Sequence, residues 1–215
     1  MGIKSPVTPH VALTMRISHA TSYVEPRDCI SHDWLDRLGK WGMLPLLIPN
    51  SPKQGLSFLD VFIPDIIVIT GGDEIGRETR RDSMENMLME HAIDNLIPVL
   101  GVCRGVQFLN HYFGGSLSSI DGHVGGLHDV RFPTDWAEFY GNNASVNSYH
   151  ETVIPAGSLA PELCAKAFDE NGYVEALVHR NLPIAGVMWH PERDGAPVGD
   201  RQLIERMMDL GNGGD

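Results

Sequence analysis

The chain has few cysteines and few basic residues for its length. Its 215 residues include only three cysteines, Cys29, Cys103 and Cys164, and no CxxC spacing. An odd number of widely spaced cysteines argues against a disulfide framework and against a zinc site. The 16 Lys and Arg against 28 Asp and Glu give a net charge of −12, whereas nucleic-acid binders normally carry a basic surplus. We therefore expect no metal and no nucleic-acid partner, and no motif predicts a cofactor.

Hydrophobic targeting segments are also missing from the sequence. Residues 1–17 contain no sustained apolar stretch followed by a small-residue cleavage site, and Pro6 occupies the position where a myristoylation motif needs Ser or Thr. No run of about 18 apolar residues occurs, so we expect no membrane-spanning helix and no membrane partner. The expected location is the cytoplasm, and the expected partner is a small molecule.

Apolar strand patterns alternate with amphipathic helix patterns along the chain. The strand patterns cover 11–15, 43–49, 65–70, 98–102 and 183–189, and the helix patterns cover 31–42, 53–62, 80–96, 104–113 and 200–210. Shorter strand candidates lie at 128–132, 145–149, 164–168 and 173–179, with a hairpin turn at Asn171-Gly172. This order predicts a single α/β domain over 1–215, with a doubly wound, mainly parallel sheet and a small antiparallel addition.

A nucleophile motif joins one of these strands to the next helix. The segment Gly101-Val102-Cys103-Arg104-Gly105 matches the G-x-nucleophile-x-G elbow, with Cys in the place of Ser. The residues two positions from the nucleophile must be small, because the strand and the helix approach closely around a strained backbone. A buried structural cysteine is the alternative. The paired glycines and the helix that follows favour a reactive thiolate.

A base and an oxyanion site are predicted at the ends of two other strands. His190 follows the last buried strand, and Glu192 comes two residues later, beyond Pro191, where it is able to orient the imidazole. The alternative is a surface histidine in a loop. The turn after residues 65–70 offers the backbone N–H groups of Gly71 and Gly72, and the amide of Arg104 is the second expected donor to an oxyanion. Without the cysteine, the glycine turn would be interpreted as an ordinary one.

Together these segments resemble the class I glutamine amidotransferase superfamily, and within it the free-standing γ-glutamyl hydrolase (peptidase C26) branch. The resemblance rests on "VITGGDE", "PVLGVCRGVQFLN", "GGSL", "VNSYHETVI" and "GVMWHPER". It implies a flavodoxin-like fold, with Cys103 as nucleophile, His190 as base and Glu192 as orienting acid. It further implies that the backbone N–H groups of Gly72 and Arg104 are the oxyanion donors. It also implies that the pocket for the glutamyl α-amino and α-carboxylate groups is lined by Gln107, Ser148, Tyr149 and His150.

The resemblance also indicates a branch of the superfamily. Ammonia-supplying glutaminase subunits usually carry Leu after the nucleophile, whereas γ-glutamyl-amine hydrolases resemble the Cys-Arg-Gly-x-Gln of this chain. The loop after the glycine pair is shorter than in γ-glutamyl-GABA hydrolases. This loop and the segment that contains His123 and His128 both resemble those of hydrolases from surface-polysaccharide clusters. Those hydrolases act on γ-glutamyl-CDP-amidate. This loop region carries Arg77, Arg80 and Arg81, from which we expect contacts with a diphosphate. A solvated first helical turn is the alternative.

The expected function is hydrolysis of a γ-glutamyl amide or phosphoramidate through a glutamyl thioester on Cys103. A GABA-type amine hydrolase and a glutaminase subunit that feeds ammonia to a synthetase are alternatives, and a homodimer is a further expectation. A redox or chaperone-like relative usually has His directly after the cysteine, where this chain has Arg104. An α/β-hydrolase would place its acid well before the histidine, whereas Glu192 follows His190.

Overall fold

Helices and strands follow each other much as the periodicity predicts. The computed structural model describes residues 8–120, 124–133 and 135–211. Its strands are β1 (His10–Thr14), β2 (Arg16–His19), β3 (Pro26–Cys29), β4 (Leu44–Ile48), β5 (Ile66–Ile69), β6 (Val99–Val102), β7 (Ser118–Ser119), β8 (Val124–Arg131), β9 (Asn143–Tyr149), β10 (Thr152–Val153), β11 (Leu163–Phe168), β12 (Val174–His179) and β13 (Ile184–Val187). The α-helices are α1 (His32–Trp41), α2 (Pro52–Val61), α3 (Thr79–Asn95), α4 (Arg104–Tyr112), α5 (Ala137–Tyr140) and α6 (Asp200–Gly211).

A nine-stranded sheet forms the centre of the fold, in the order β4-β1-β5-β6-β13-β12-β11-β8-β9. The first five strands in this order are parallel, and the remaining four extend the sheet with antiparallel pairings. Strands β5 and β6 are buried along their whole length, as expected for parallel strands covered on both faces. The predicted α/β fold with a mainly parallel sheet and an antiparallel addition is confirmed.

Helices cover both faces of this sheet and so give it two hydrophobic cores. On one face Trp34 of α1 and Leu203 of α6 pack in a cluster with β1, β5 and β6. On the other face Leu59 of α2, Leu88 of α3 and Leu109 of α4 pack in a second cluster. The sheet is therefore doubly wound. No helix within the described ranges combines the length and hydrophobicity that a membrane span requires.

The register of three neighbouring strands brings the predicted site together. Strand β6 pairs in parallel with β5 on one side and with β13 on the other, and Val102 lies opposite Val187. Parallel neighbours end at the same edge of a sheet. The glycine turn after β5, Cys103 after β6 and the segment after β13 that leads to His190 therefore emerge side by side.

The hairpin of β2 and β3 was not predicted from the sequence. These strands pair antiparallel over Arg16–His19 and Pro26–Cys29, and nearly all their residues are exposed or half-buried. A strand without a buried face lacks the alternating hydrophobic pattern that makes strands recognisable. The hairpin contacts the loop before α3 through His19 Nε2, which lies 2.9 Å from Glu78 Oε1.

A buried carboxyl group, Asp200, lies at the start of α6. Its Oδ1 accepts hydrogen bonds from Trp189 Nε1 and from the hydroxyl of Tyr140, each 2.9 Å long. Burial raises the pKa of Asp200 from 3.8 to about 7, although both hydrogen bonds oppose the rise. Folding therefore shifts Asp200 towards its protonated form.

We predict that Asp200→Asn changes how stability depends on pH. Because folding raises the pKa of Asp200, its contribution to stability is present below 3.8 and is lost as the pH rises through about 7. Asn keeps an oxygen acceptor without a charge, so the variant should gain stability relative to wild type as the pH rises. Urea unfolding at about pH 5 and about pH 8 measures this difference. The same substitution at the exposed Asp209 of α6 is the control, and an equal response of both variants contradicts the prediction.

Candidate active site

Cys103 lies at a sharp turn between β6 and α4. Its backbone has φ 52° and ψ −107°, a positive φ that non-glycine residues rarely adopt. A Cβ on Gly105 would overlap the carbonyl oxygen of Ile69, and a Cβ on Gly101 would lie 2.7 Å from the carbonyl carbon of Gly105. Both glycines are therefore required for the close approach of helix and strands, and this geometry is that of a nucleophile elbow.

His190 and Glu192 form a buried pair beside this turn. The Nδ1 of His190 donates to Oε1 of Glu192 over 2.7 Å, and the two residues are only 3% and 5% exposed. The backbone of His190 is held by Asn147, whose Oδ1 accepts from the His190 N–H at 2.8 Å and whose Nδ2 donates to the His190 carbonyl at 3.0 Å. This role of Asn147 was not predicted from the sequence. The available signal was an amide within the "VNSYH" segment.

Cys103 and His190 meet across Gly71, which has no side chain to separate them. A Cβ on Gly71 would lie 2.8 Å from His190 Cε1 and 3.6 Å from Cys103 Cβ. Burial by itself lowers the pKa of His190, but hydrogen bonds and charge interactions with Cys103 and Glu192 outweigh it and raise the value to about 9. At neutral pH the imidazole is therefore protonated and available as a proton donor.

A cavity of about 400 Å³ opens over the cysteine. Its walls include Cys103, Gly72, Arg77, Arg104, Gln107, Tyr149 and His150. Ser148 is buried and is not among the lining residues. A separate cavity of about 290 Å³, beside α5 and α6, contains none of the predicted site residues.

The three arginines of the predicted diphosphate site have different environments. Arg77 lines the cavity and pairs with Asp73 at 3.3 Å. Arg80 is not among the cavity residues, and its Nε donates to the carbonyl of Asn50 at 2.5 Å. Arg81 is only 1% exposed and directs its guanidinium to carbonyl groups of the glycine turn. The expectation of a diphosphate contact is therefore corrected for Arg81, whose buried guanidinium is used by the protein itself. For the exposed Arg80 it stays a prediction.

Two aromatic and charged contacts border the cavity near His190. The ring of Tyr149 meets the His190 ring edge to face at 5.5 Å between centroids. The guanidinium of Arg193 lies 4.3 Å from the centre of the Tyr149 ring, within the range of a cation–π contact. Tyr149 thus contacts the candidate base directly and remains 43% exposed at the cavity mouth.

A buried carboxylate, Glu175 of β12, supports the cavity wall from behind. Its oxygens lie 3.7 Å from His150 Nε2 and 3.3 Å from His128 Nε2. Burial raises the pKa of Glu175, and the nearby His128 opposes the rise. Glu175 was not predicted from the sequence, although a carboxylate in the otherwise apolar "YVEALVH" is a signal. His123, which was noted with His128, lies outside the described residues.

Comparisons with known proteins agree with this fold. The structure resembles that of the glutaminase domain of Trypanosoma brucei CTPS, with a TM-score of 0.69 at 16% identity over 97% of this chain and 95% of that one. This defines a class I glutamine amidotransferase fold. The chain belongs to the Peptidase C26 family, whose model matches residues 9–192.

Two relatives are similar to this chain over most of its length. It is 30% identical over 209 residues to gamma-glutamyl-CDP-amidate hydrolase of Campylobacter jejuni, covering 93% of this chain and 98% of the relative. It is 26% identical over 151 residues to a glutamine-hydrolyzing GMP synthase subunit of Thermococcus kodakarensis, covering 70% and 77%. These matches support a glutamine amidotransferase-like hydrolase and confirm the family resemblance.

We predict that both Cys103→Ala and Glu192→Gln lower the pKa of His190 from about 9 towards its ordinary value of 6.5. Each substitution removes one of the groups that favour the imidazolium. An NMR titration of the histidine rings measures the midpoint, with His190→Gln used to assign the signal among the 10 histidines. A midpoint that stays at the wild-type value in both variants contradicts the proposed interaction.

Proposed function

We propose that the protein is a cysteine-dependent hydrolase that releases glutamate from a γ-glutamyl phosphoramidate, with γ-glutamyl-CDP-amidate as the favoured substrate. The observation that carries the proposal is the buried His190–Glu192 pair beside Cys103 at its strained turn. The Campylobacter jejuni relative, which matches nearly the whole chain, supports the choice of substrate. Cysteine, histidine and glutamate are proposed as nucleophile, base and orienting acid.

The first half-reaction forms a thioester. The Cys103 thiolate attacks the γ-carbonyl carbon, and the new C–S bond converts the carbonyl oxygen into an oxyanion that accepts hydrogen bonds from the backbone N–H groups of Gly72 and Arg104. The C–N bond then breaks, and the leaving nitrogen takes the proton of the His190 imidazolium. A pKa of about 9 keeps this proton in place at neutral pH.

The second half-reaction restores the enzyme. Neutral His190 removes a proton from water, whose oxygen attacks the thioester carbon. The C–S bond breaks, glutamate leaves, and the thiolate and imidazolium are regenerated. Glu192 accepts from Nδ1 throughout, so that Nε2 is the nitrogen that exchanges protons with the leaving group and with water.

The carboxylates that line the cavity favour binding of the substrate's glutamyl group beside Cys103. The carboxylates of Asp73, Glu74 and Glu151 lie among the cavity residues and suit the substrate's α-ammonium group. The amide of Gln107 lies in the same wall, where its Nε2 donates to the Thr152 carbonyl at 3.1 Å. Its Oε1 is proposed to accept from the α-ammonium group.

The environment of His190 favours an anionic leaving group. Arg16, an exposed residue of the β2–β3 hairpin, lines a small cleft with Gly72, His190 and Arg193. Its Cβ lies 3.4 Å from the position that a Cβ on Gly72 would occupy. No ion pair joins Arg16 to a carboxylate in the part of the chain that the structure describes. Because the leaving nitrogen must approach His190, phosphates attached to it would lie near Arg16 and Arg193.

A glutaminase subunit is the second candidate, favoured by the match to the GMP synthase subunit. It predicts that glutamine is the preferred substrate and that a partner raises the release of ammonia. A GABA-type hydrolase predicts a preference for γ-glutamyl-GABA.

On the favoured proposal, the product would serve phosphoramidate decoration of surface polysaccharides. The cytoplasmic location and the homodimer stay predictions.

We predict that Cys103→Ala abolishes glutamate release from γ-glutamyl-CDP-amidate while the protein stays folded. The small side chain is accommodated in the elbow, but no thioester is able to form. Glutamate is measured enzymatically, with circular dichroism as the control for folding. Wild-type turnover should be fastest on the nucleotide amidate, compared with glutamine and γ-glutamyl-GABA. Near-full activity of the variant would disprove the proposed nucleophile.

We predict that Arg16→Ala lowers kcat/KM for γ-glutamyl-CDP-amidate by about tenfold or more, since a hydrogen bond to a charged group is lost. Hydrolysis of glutamine, which has no phosphate, should change little. The matched control is Arg27→Ala on the same hairpin, because Arg27 pairs with Glu25. An equal loss on both substrates would assign Arg16 a structural role and contradict the leaving-group contact.

A further inference from the structure

A buried ion-pair network lies beneath the glycine turn and the start of α4. Its centre is Glu85 of α3, which is 0% exposed. Glu85 Oε1 accepts from Arg81 Nε at 2.8 Å and from the Thr14 hydroxyl at 2.9 Å. Glu85 Oε2 pairs with Arg104 Nη1, and Arg104 Nη2 pairs with Asp82. One carboxylate therefore holds two arginines from different elements.

Stability alone is a weak explanation for such a network. Removing two guanidinium groups and a carboxylate from water is costly, and a well-packed apolar cluster often serves stability as well or better. Burial lowers the pKa of Arg81, and Glu85 opposes this effect. Arg81 and Arg104 are each 1% exposed, so neither is free to bind a ligand in solution. The contacts of each arginine indicate what it does.

Arg81 fixes the orientation of the glycine turn. Its Nη2 donates to the Thr70 carbonyl at 2.6 Å and its Nη1 to the Gly71 carbonyl at 3.1 Å. In a trans peptide the N–H points away from the preceding C=O, so the N–H groups of Gly71 and Gly72 are directed away from Arg81. Gly72, at φ 148°, has no space for a Cβ because Arg81 Nη1 occupies it.

Arg104 fixes the start of the helix after the nucleophile. Its side chain is held by Glu85 and Asp82 of α3, and its own backbone N–H is the second proposed donor to the oxyanion. The guanidinium also lies 5.9 Å from the centre of the Phe108 ring, one turn further along α4. Glu85 is thus connected to both segments that carry a proposed oxyanion donor, through Arg81 on one side and Arg104 on the other.

We propose that Glu85 is a positioning residue that, through Arg81 and Arg104, holds the N–H groups of Gly72 and Arg104 in fixed relation to the carbonyl attacked by Cys103. This inference rests on the proposed hydrolase function, since the oxyanion forms only in that reaction. Glu85 touches neither substrate nor Cys103 in this role. It stabilises the transition state through the two arginines.

The test is Glu85→Gln, compared with wild type and with Glu90→Gln on the exposed face of α3. Gln has the same size but no charge, and its amide N–H₂ faces one of the arginines where a carboxylate oxygen accepted. We expect kcat to fall by about 10²-fold, as when an oxyanion donor is lost, with KM within about twofold. The control should match wild type.

Two further measurements separate positioning from general damage. Alkylation of Cys103 by iodoacetamide should keep its wild-type rate in Glu85→Gln, because formation of the thiolate does not use the oxyanion donors. Binding of a glutamate γ-semialdehyde, which forms a tetrahedral adduct with the thiolate, should weaken in parallel with kcat. A general loss of structure would instead change the alkylation rate of the buried Cys103 and raise KM.

If Glu85→Gln does not fold, the combined variant Arg81→Met, Glu85→Leu and Arg104→Met replaces all three charges with apolar groups, a change that proteins often tolerate. It should fold, keep alkylation of Cys103 and lose turnover. Turnover and adduct affinity within about twofold of wild type in the folded variant would overturn the role of Glu85 and leave the proposed function standing. Absence of turnover in wild type on every γ-glutamyl substrate would overturn both.

Discussion

The close approach of α4 to the end of β5 is the constraint on which the site depends. The backbone of Gly105 lies so near the Ile69 carbonyl that no Cβ fits between them. At this contact Cys103 has its positive φ and lies beside the turn that follows β5. Because β6 lies between β5 and β13, the cysteine at its end lies between the glycine turn and the segment that leads to His190. Strain in the elbow is compensated by the packing of the surrounding parallel strands.

The burial of His190 and the charged groups around it determine which protons this site is able to transfer. His190 is nearly inaccessible, and burial alone would favour its neutral form. Its contacts with Cys103 and Glu192 reverse this preference, while Asn147 holds its backbone from the antiparallel part of the sheet. The parallel strands thus supply the reacting groups, and the antiparallel extension supplies supports such as Asn147 and Glu175. Buried polar groups of this kind are stable only when their partners are in place.

The parallel part of the fold was predictable because its signals are local. Buried strands are short continuous apolar runs, and each predicted helix begins and ends within one residue of the observed one. The β2–β3 hairpin was missed because it buries no face. Strand β8 begins earlier than predicted, at Val124, because Gly125 and Gly126 weaken its hydrophobic pattern. The arginines were predicted least well, since a charged residue on a helix gives no local sign of burial.

The amino-acid sequence by itself determined the alternation of parallel strands and helices along the chain and the identities of the candidate nucleophile, base and acid. The carboxyl ends of neighbouring parallel strands share one edge, so residues that follow such strands must come together. Only the tertiary structure decided the surroundings of these groups. Arg81 and Arg104 are directed inwards because Glu85 lies between them, and Arg16 reaches the cleft because the hairpin folds beside Gly72. Burial of a guanidinium requires a carboxylate partner, and packing between separate elements supplies that partner.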